Sequence, residues 1–448
     1  MRMDAVNTLD AWLAERGIDD LECFVVDFAG VARGKIQPAS GCGDKPVKLP
    51  IALFGQTVTA NFHMRGDNAR DRDMECVPDP STLRLTPWAS RPTASVLLDC
   101  FDEHGQAVDV DPRTVLKRVL ALYAAEGWYP IVAPEVEFYL LPAVTPDGEP
   151  DAQVDPGKAA VTLEFSEPYG VDRLHELSGF FDALKAHCKT QGIELGAISQ
   201  ELGPRQFEVN FDHGEPLRLA DNVLHFKRAL KHEAAQAGMQ ACFLAKMSPG
   251  QPGSALHIHQ SVYDADGNNV FSSDDGSESP LFGAHIAGLQ SFMRDALLLF
   301  APYANSYRRY LSHWASPVNL EWGTDNRTAG LRVPESPPEA RRVENRIAGS
   351  DVNPYLAIAG TLACGYHGMV RELTPRPAVN ESAYDANTPF ALHRHFYEAL
   401  DALRASKAMA EVLGEDFIRV YCATKEREFR DLEERVPSWE RDELGLIV

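Results

Sequence analysis

Two glutamates stand one residue apart in an otherwise apolar run, Pro134 to Leu140 (PEVEFYL). Side chains at positions i and i+2 of a β-strand point to the same face, so Glu135 and Glu137 would lie about 7 Å apart along that face. Two like charges in such a position repel each other, and a bound cation is the simplest compensation. The alternative interpretation is the solvated face of an amphipathic strand.

The same alternation of polar and apolar residues recurs in three further segments. Each segment alone has an ordinary explanation, such as a hydrogen-bonded core histidine, a surface loop or a solvated charged face. Four segments of this kind in one chain favour a single site at which their polar faces converge. Their polar members are Glu208 and Asn210 in QFEVNF, His257, His259 and Ser261 in LHIHQS, and Arg342, Glu344 and Arg346 in RVENRI, with Glu201 just upstream of the first.

The resulting set of donors contains five glutamates and a histidine but no thiol. Oxygen-rich sets of this kind suit hard divalent ions such as Mg²⁺ or Mn²⁺ better than zinc. Guanidinium groups bind phosphate or carboxylate oxygens in bidentate fashion, so metal-bound carboxylates with arginines beyond them predict a phosphoryl-transfer site. No phosphate-binding loop or kinase signature is present, and a nucleotide would be held mainly by metal and arginine. The accompanying arginines are Arg309, Arg327, Arg332, Arg342 and Arg346.

The elements that carry these residues divide into two parts. The first hundred residues have a pattern typical of short strands with few helices, including a polar, turn-rich loop over 55–73. Asp111 is a good helix N-cap and Pro112 suits the first helical position, which predicts a domain boundary near this point. Strand-like and helical segments then alternate to the C-terminus, with long helices predicted over 172–191 and 281–300. We therefore expect an α+β protein with a small domain over 1–108 and a catalytic domain over 109–448.

The net charge of the chain limits the classes of molecule that it is expected to bind. The chain of 448 residues carries a formal net charge of −22, which argues against nucleic acid or an anionic membrane and favours cations, including organic amines. No run is long and apolar enough to cross a membrane, and the N-terminus lacks a signal-peptide core, so we expect a cytoplasmic protein. The eight cysteines show no paired spacing and are expected to be reduced thiols.

Several motifs in a fixed order resemble the glutamine synthetase family, specifically its bacterial type I group. The similarity covers nearly the whole chain. The matching segments are PDPST (78–82), PEVEFYL (134–140), the stretch from Glu201 to Glu208, GSALHIHQS (253–261), NSYRRYL (305–311), NRTAGLRVP (326–334), RRVENR (341–346) and NPYLA (353–357).

The resemblance implies an architecture and an assembly. The expected fold is a small N-terminal β-grasp-like domain followed by a larger catalytic α/β domain, in which an antiparallel sheet forms a funnel-shaped site. The expected assembly is a homo-oligomer, typically a dodecamer of stacked rings, in which a neighbouring subunit completes each site.

The resemblance also implies roles for individual residues, with two or more Mg²⁺ or Mn²⁺ ions and ATP in each site. ATP would phosphorylate the γ-carboxylate of L-glutamate, and an amine would then attack the acyl phosphate. Arg327 and Arg346 would be catalytic, because they offset charge on the transferring phosphoryl group. The implied metal ligands are Glu135, Glu137, Glu201, Glu208, His257 and Glu344; the ATP contacts are His259, Ser261, Arg327, Arg332 and Arg342; the glutamate contacts are Gly253, Arg309 and Arg346.

The sequence departs from ammonia-using members at two positions. Those enzymes carry a carboxylate in an F-D-G-S loop, where this chain reads Leu53-Phe54-Gly55-Gln56-Thr57, and a glutamate where it has Ala315. A third departure is Pro252, which replaces the asparagine that usually precedes the glutamate-binding glycine. Losing the carboxylates that hold ammonium, while keeping the metal ligands, favours a larger amine. In this the chain resembles the γ-glutamylputrescine and γ-glutamylpolyamine synthetases of polyamine catabolism.

Alternatives remain at this stage. The acceptor could be ammonia or another monoamine, and a family member without catalysis could act as a structural or regulatory oligomer. An alkylamine has a pKa of about 10.4, so a group must also take its proton. Glu321, Asp325 and the acidic residues between Asp67 and Glu75 are candidates for this base.

Overall fold

The computed structural model describes residues 2–42, 46–61, 72–142, 166–311, 316–385 and 389–448. Within these residues the N-terminal part forms one mixed sheet preceded by helix α1 (Arg2–Glu15). Its strands are β1 (Asp20–Val26), β2 (Ala32–Pro38), β3 (Val47–Pro50), β4 (Asp73–Pro78), β5 (Arg84–Leu85) and β6 (Thr93–Phe101). The order is β2-β1-β6-β4-β3, with β5 also on β6. Strands β1 and β6 run parallel, and the other pairs are antiparallel.

The junction between the two parts follows the predicted cap. The Asp111 carboxylate accepts hydrogen bonds from the backbone N–H groups of Arg113 and Thr114 at the start of α2 (Pro112–Ala125). The chain reverses at Gly127, whose φ of 76° is readily adopted only by glycine.

A second sheet occupies the larger C-terminal part. Its strands, within the described residues, are β7 (Tyr129–Pro142), β8 (Leu195–Gln200), β9 (Gln206–Phe211), β10 (Met239–Cys242), β11 (Leu256–Tyr263), β12 (Trp322–Thr324), β13 (Leu331–Val333) and β14 (Val343–Asn345). Their order is β12-β13-β14-β11-β7-β9-β8, and β10 also pairs with β7. Every pair is antiparallel except β12 with β13.

Helices pack against this sheet and against one another. They are α3 (Val171–Glu176), α4 (Ser178–Thr190), α5 (Pro216–Gln236), α6 (Pro280–Phe292), α7 (Leu297–Phe300), α8 (Ala304–Arg308), α9 (Pro354–Val370), α10 (Phe396–Ala405), α11 (Lys407–Leu413), α12 (Glu415–Glu433) and α13 (Ser438–Asp442). The long helices predicted over 172–191 and 281–300 are each interrupted. The first break lies at Leu177, beside a Ser-Gly pair of the kind that commonly bends helices.

Most of the apolar side chains behind the sheet are inaccessible to solvent, and α9 is buried along nearly its whole length. None of the helices in the described ranges combines the length and apolar character needed to cross a membrane.

Candidate active site

Strand register brings the four alternating segments to one face of the C-terminal sheet. Central strand β7 lies between β9 and β11, so Glu137 faces Glu208 on one side and Glu135 faces His257 on the other. Strand β14 continues the row, since Glu344 lies opposite His259. The convergence predicted from period-two spacing is therefore present in the structure.

His257 lies at the centre of two groups that could each hold a metal ion, Glu135 with Glu344 and Glu137 with Glu208. Its Nδ1 atom lies 3.2 Å from Glu135 Oε2 and 3.5 Å from Glu344 Oε1, whereas its Nε2 atom lies 4.0 Å from Glu137 Oε1. The two glutamates of the PEVEFYL segment thus fall in different groups. This geometry supports two ions, one beside each glutamate.

The electrostatic environment of the carboxyl groups in the site favours the binding of a cation. Burial raises the pKa of Glu137 to about 8, with a further contribution from the charge of Glu201. Burial and the three neighbouring glutamates raise the pKa of Glu208 to about 9. Burial opposes ionisation of Glu344 as well, but the charge of Arg346 lowers its pKa to about 2. Crowded, buried carboxylates with one imidazole and no thiol are the donors that Mg²⁺ or Mn²⁺ prefers.

Glu201 is outside both three-residue groups but lies next to them. It follows β8, and its N–H donates to the backbone oxygen of Gln206 across a tight turn at 2.9 Å. Burial raises the pKa of its carboxyl group, and the charge of Glu135 acts in the same direction. Its predicted role as a ligand is therefore geometrically possible and stays a prediction.

Two cavities meet at the row of carboxylates. The first, of about 510 Å³, lies beside the N-terminal half of β7, and the second, of about 560 Å³, lies beside its C-terminal half. Glu135 and Arg332 line both. Of the residues predicted to act, His259, Ser261, Arg332 and Arg342 line the first cavity, and Gly253, Arg309, Arg327, Arg346 and the remaining predicted metal ligands line the second.

The predicted nucleotide and glutamate contacts are thus largely separated into different cavities. Arg327 is the exception, since it was expected to contact ATP and lies in the second cavity.

The arginines around the row are already partly engaged. Arg332 donates to Glu344 Oε2 at 2.9 Å and to Asp325 Oδ1 at 2.7 Å, and Arg346 also donates to Glu344. Arg309 donates to the backbone oxygens of residues 346 and 347. The Nε groups of Arg309, Arg332 and Arg346 are nevertheless buried without an acceptor among the described residues. Unsatisfied buried donors are costly, so these three groups favour an anionic ligand.

The family model described as "Glutamine synthetase, catalytic domain" matches residues 109–444 of the chain. The chain belongs to the glutamine synthetase family. Members of this family are ATP-dependent ligases that form C–N bonds, and the chain is an enzyme of that class. The α+β fold predicted from the resemblance is confirmed, including a catalytic sheet consistent with a funnel-shaped site.

Several members of the glutamine synthetase family are similar over almost the full length. Gamma-glutamylputrescine synthetase of Escherichia coli K12 is 32% identical, covering 94% of this chain and 90% of that protein. Glutamate–isopropylamine ligase of a Pseudomonas species is 31% identical, covering 96% and 95%. A solved complex of GmaS with ADP is 26% identical, with a TM-score of 0.83 and coverage of 97% and 98%.

Of the positions at which the chain departs from ammonia-using glutamine synthetases, Gly55 and Pro252 lie within the described residues. Gly55 ends a short 3₁₀ helix (Ile51–Gly55). The loop that follows packs on α12, where the Val58 N–H donates to Glu428 Oε1 at 2.8 Å. Ala315 lies outside the described residues. Pro252 lines the second cavity, and its carbonyl accepts a hydrogen bond from the Tyr139 hydroxyl.

The base candidates that fall within the described residues line neither cavity. Neither Glu321 nor Asp325 is among the described residues that line the two cavities. Glu321 is buried 3.4 Å from Arg376, and Asp325 pairs with Arg332. In the third candidate group, Asp67 and Asp71 lie outside the described ranges, whereas Asp73 and Glu75 are exposed on β4 and line neither cavity.

Gln206 is a functional candidate that the sequence interpretation missed. Its buried amide NH₂ donates to the Gly253 carbonyl at 2.9 Å and to Glu137 Oε2 at 3.3 Å. It therefore joins a predicted metal ligand to the predicted glutamate-binding glycine. Gln206 shares the period-two face of Glu208 and Asn210, so the same alternation could have identified it. The N–H of Ala255, which donates to Glu137 Oε2 at 2.8 Å, leaves no such signal because it belongs to the backbone.

Proposed function

We propose that this protein is an ATP-dependent glutamate–amine ligase that joins the γ-carboxylate of L-glutamate to putrescine or another polyamine. The observation that carries this proposal is the meeting of two cavities at one row of buried carboxylates. A nucleotide in the first cavity and glutamate in the second would bring the γ-phosphate of ATP to the γ-carboxylate at this row.

The chain's own residues would bind and orient the reactants. Glu135, His257 and Glu344 would hold one ion, and Glu137, Glu201 and Glu208 would hold another. Mg²⁺ or Mn²⁺ bound there would neutralise phosphoryl oxygens during transfer. His259, Ser261, Arg332 and Arg342 would contact ATP, while Gly253 and Arg309 would contact glutamate. Arg327 and Arg346 would offset the charge that develops on the transferring group.

The proposed reaction has two steps. A γ-carboxylate oxygen of glutamate attacks the terminal phosphorus of ATP, and ADP leaves with the electron pair of the broken P–O bond. The lone pair of the neutral amine then attacks the acyl carbon, inorganic phosphate leaves, and the amine releases a proton to a base.

The choice of amine rests on a departure from the family pattern together with the relatives. Gly55 and Ala315 stand where ammonia-using members carry carboxylates, and two relatives are named for putrescine and isopropylamine. The strongly acidic chain would also attract a doubly charged diamine.

ADP release with glutamate and a panel of acceptors tests this assignment. Putrescine and spermidine should give the highest kcat/KM, above ethanolamine, monoalkylamines and ammonia. Ammonia as much the best acceptor would identify a glutamine synthetase and overturn the polyamine assignment. A monoamine as the best acceptor would overturn it as well, and absence of any glutamate-dependent ADP release would favour a non-catalytic oligomer.

The assembly and the domain division are part of the same proposal. We infer a homo-oligomer, a dodecamer with sites between subunits, in which residues 1–108 and 109–448 form the two domains. Support comes from large apolar side chains exposed on the single chain, among them Ile36, Val436, Trp439 and Ile447. Three of these, Val436, Trp439 and Ile447, lie close together in the chain near the C-terminus, and exposed apolar groups that cluster are typical of interfaces. A cytoplasmic location remains a prediction.

A further inference from the structure

The backbone at Pro252 and Gly253 forms a wall of the second cavity and is held by side chains from the sheet. This wall precedes strand β11, which begins at Leu256. The Pro252 carbonyl accepts a hydrogen bond from the Tyr139 hydroxyl at 2.9 Å, and the Gly253 carbonyl accepts one from the Gln206 amide at 2.9 Å. Two adjacent carbonyls of the wall are therefore fixed by donors on β7 and β9.

The two donors are buried and belong to one network. Tyr139 is 2% exposed and Gln206 is 1% exposed. The Tyr139 hydroxyl lies 3.3 Å from Gln206 Oε1, which also accepts the Gly203 N–H at 3.0 Å. Because an N–H group requires the oxygen of the amide on its side, the NH₂ group of Gln206 faces Gly253 and Glu137. The hydrogen bonds thus determine a single orientation of the amide.

The wall is in close contact with a residue proposed to bind glutamate. A Cβ atom on Gly253 would lie 2.8 Å from Arg309 Cγ and 2.6 Å from the Ala245 carbonyl oxygen. The aliphatic part of the Arg309 side chain therefore packs directly on this glycine. On its other contact, through Gln206, the wall is joined to Glu137. The position of the wall consequently sets the separation between Arg309 and Glu137.

Pro252 makes an external support for the wall necessary. A proline has no N–H, so its carbonyl is the main-chain polar group by which this residue can be anchored. Pro252 also replaces an asparagine that usually stands before this glycine, and the chain thereby lacks that polar side chain. The Tyr139 hydroxyl supplies an anchor at the same position from β7.

We propose that Tyr139 and Gln206 are positioning residues that hold this wall, so that the substrate L-glutamate binds at a fixed distance from the ion beside Glu137. This inference rests on the proposed function and adds to it residues that act through the wall. Tyr139 acts on the wall alone, since it is not among the described residues that line the second cavity. Gln206 acts on both the wall and Glu137.

The variant Tyr139→Phe tests the first residue, because it removes one hydroxyl and keeps the ring. Loss of this hydrogen bond should raise the KM for L-glutamate about threefold to tenfold. The KM for ATP and the affinity for Mn²⁺, followed by electron paramagnetic resonance, should stay close to those of the wild type. A change in the KM for L-glutamate without a loss of Mn²⁺ affinity separates positioning from general damage to the site.

Tyr123→Phe is the matched control. The Tyr123 hydroxyl is also buried and donates to a backbone carbonyl, that of Leu362, at 2.9 Å, and Tyr123 lines neither cavity. Its loss should lower the free energy of unfolding about as much as Tyr139→Phe does, but it should leave the KM for L-glutamate unaltered. Urea denaturation measures the first quantity, and glutamate-dependent ADP release measures the second.

Gln206→Met tests the second residue. Methionine has a similar length but no donor, so the contacts to Gly253 and Glu137 are lost together. The KM for L-glutamate should rise and the affinity for Mn²⁺ should fall in this variant. Tyr139→Phe provides the test where Gln206→Met does not fold.

Three results would overturn the inference. They are an unchanged KM for L-glutamate in Tyr139→Phe, an equal rise in Tyr123→Phe, and an unaltered Mn²⁺ affinity in Gln206→Met. A wild-type protein that releases no ADP with L-glutamate and any acceptor amine refutes the proposed function instead.

Discussion

At the scale of single residues, the site depends on the two ring nitrogens of His257, which point toward different carboxylate groups. Burial lowers the pKa of His257, and the charge of Arg346 acts in the same direction, so the ring is held neutral. A neutral ring presents one nitrogen as an acceptor, the form in which histidine binds metal. Because its nitrogens face different carboxylate groups, His257 can serve as ligand only on one side at a time. The shorter distances favour the side of Glu135 and Glu344.

Replacing Glu344 tests this arrangement. Glu344→Ala removes a buried carboxylate that lies 3.5 Å from His257 and accepts hydrogen bonds from Arg332 and Arg346. We expect glutamate-dependent ADP release to fall more than about a hundredfold, since even loss of the partners of metal ligands costs up to this much. Binding of Mn²⁺, followed by electron paramagnetic resonance, should weaken in parallel.

Two further variants make the result interpretable. Glu344→Gln keeps the shape of the side chain and serves where the alanine variant is unstable, because the alanine removes an acceptor from the guanidinium groups of Arg332 and Arg346. Glu335→Ala changes an exposed glutamate nearby in the chain and should leave both measurements unaltered. Full turnover and full Mn²⁺ affinity in both Glu344 variants would contradict the metal assignment.

At the scale of secondary-structure elements, the alternation of polar and apolar residues predicted which side chains share one face of a strand. It did not predict which strands lie side by side. Glu135 and Glu137 could be placed on one face of β7 because the side-chain period of a strand is fixed. That β9 and β11 flank β7, and that β14 pairs with β11, depends on pairings between residues far apart in the chain, which local spacing does not encode. Strands β3 and β4 were missed for a similar reason, since VKLP and DMECVP are short, of mixed polarity and stabilised by pairing.

The cap of α2 was predicted correctly, and it leads to a pH dependence. Burial raises the pKa of Asp111 from 3.8 to about 6, although hydrogen bonds from Thr114 oppose the shift. A carboxyl group with a raised pKa contributes stability that is fully present below its unfolded value and is lost as the pH rises through about 6. At neutral pH the ionised, buried Asp111 should therefore destabilise the fold relative to a neutral cap.

Asp111→Asn should accordingly be more stable than the wild type at neutral pH, because asparagine also caps helices well. The difference should shrink as the pH falls through about 6. Asp111→Ala, which removes the cap, should lose about 1 kcal/mol. Urea denaturation across this pH range measures all three proteins. A stability difference between Asp111→Asn and the wild type that does not change with pH would show that Asp111 does not titrate as described.

At the scale of the whole molecule, the side chain of Arg113 connects the N-terminal and C-terminal parts. Arg113, at the start of α2, donates to Asp99 at 2.7 Å and to Asp79 at 2.8 Å in the N-terminal part. It also lies 3.4 Å from Asp221 on α5 in the C-terminal part. A guanidinium group shared by three carboxylates favours one fixed arrangement of the two parts within a subunit.

The proposed assembly gives a direct expectation for the native mass. Light scattering should find a particle about twelve times the 49.4 kDa of the chain. Dissociated subunits should lose activity if a neighbour completes each site, and activity should return with reassembly. A fully active monomer would contradict both the assembly and the shared site.

The central claim is that this site activates the γ-carboxylate of glutamate by phosphorylation and then passes it to an amine. The most direct measurement uses glutamate labelled with a heavy oxygen isotope in its γ-carboxylate, incubated with ATP and putrescine, followed by mass spectrometry of the phosphate and the product. The account predicts that each phosphate released carries one labelled oxygen and that one γ-glutamylputrescine forms for each ADP. Product formation with unlabelled phosphate would contradict it.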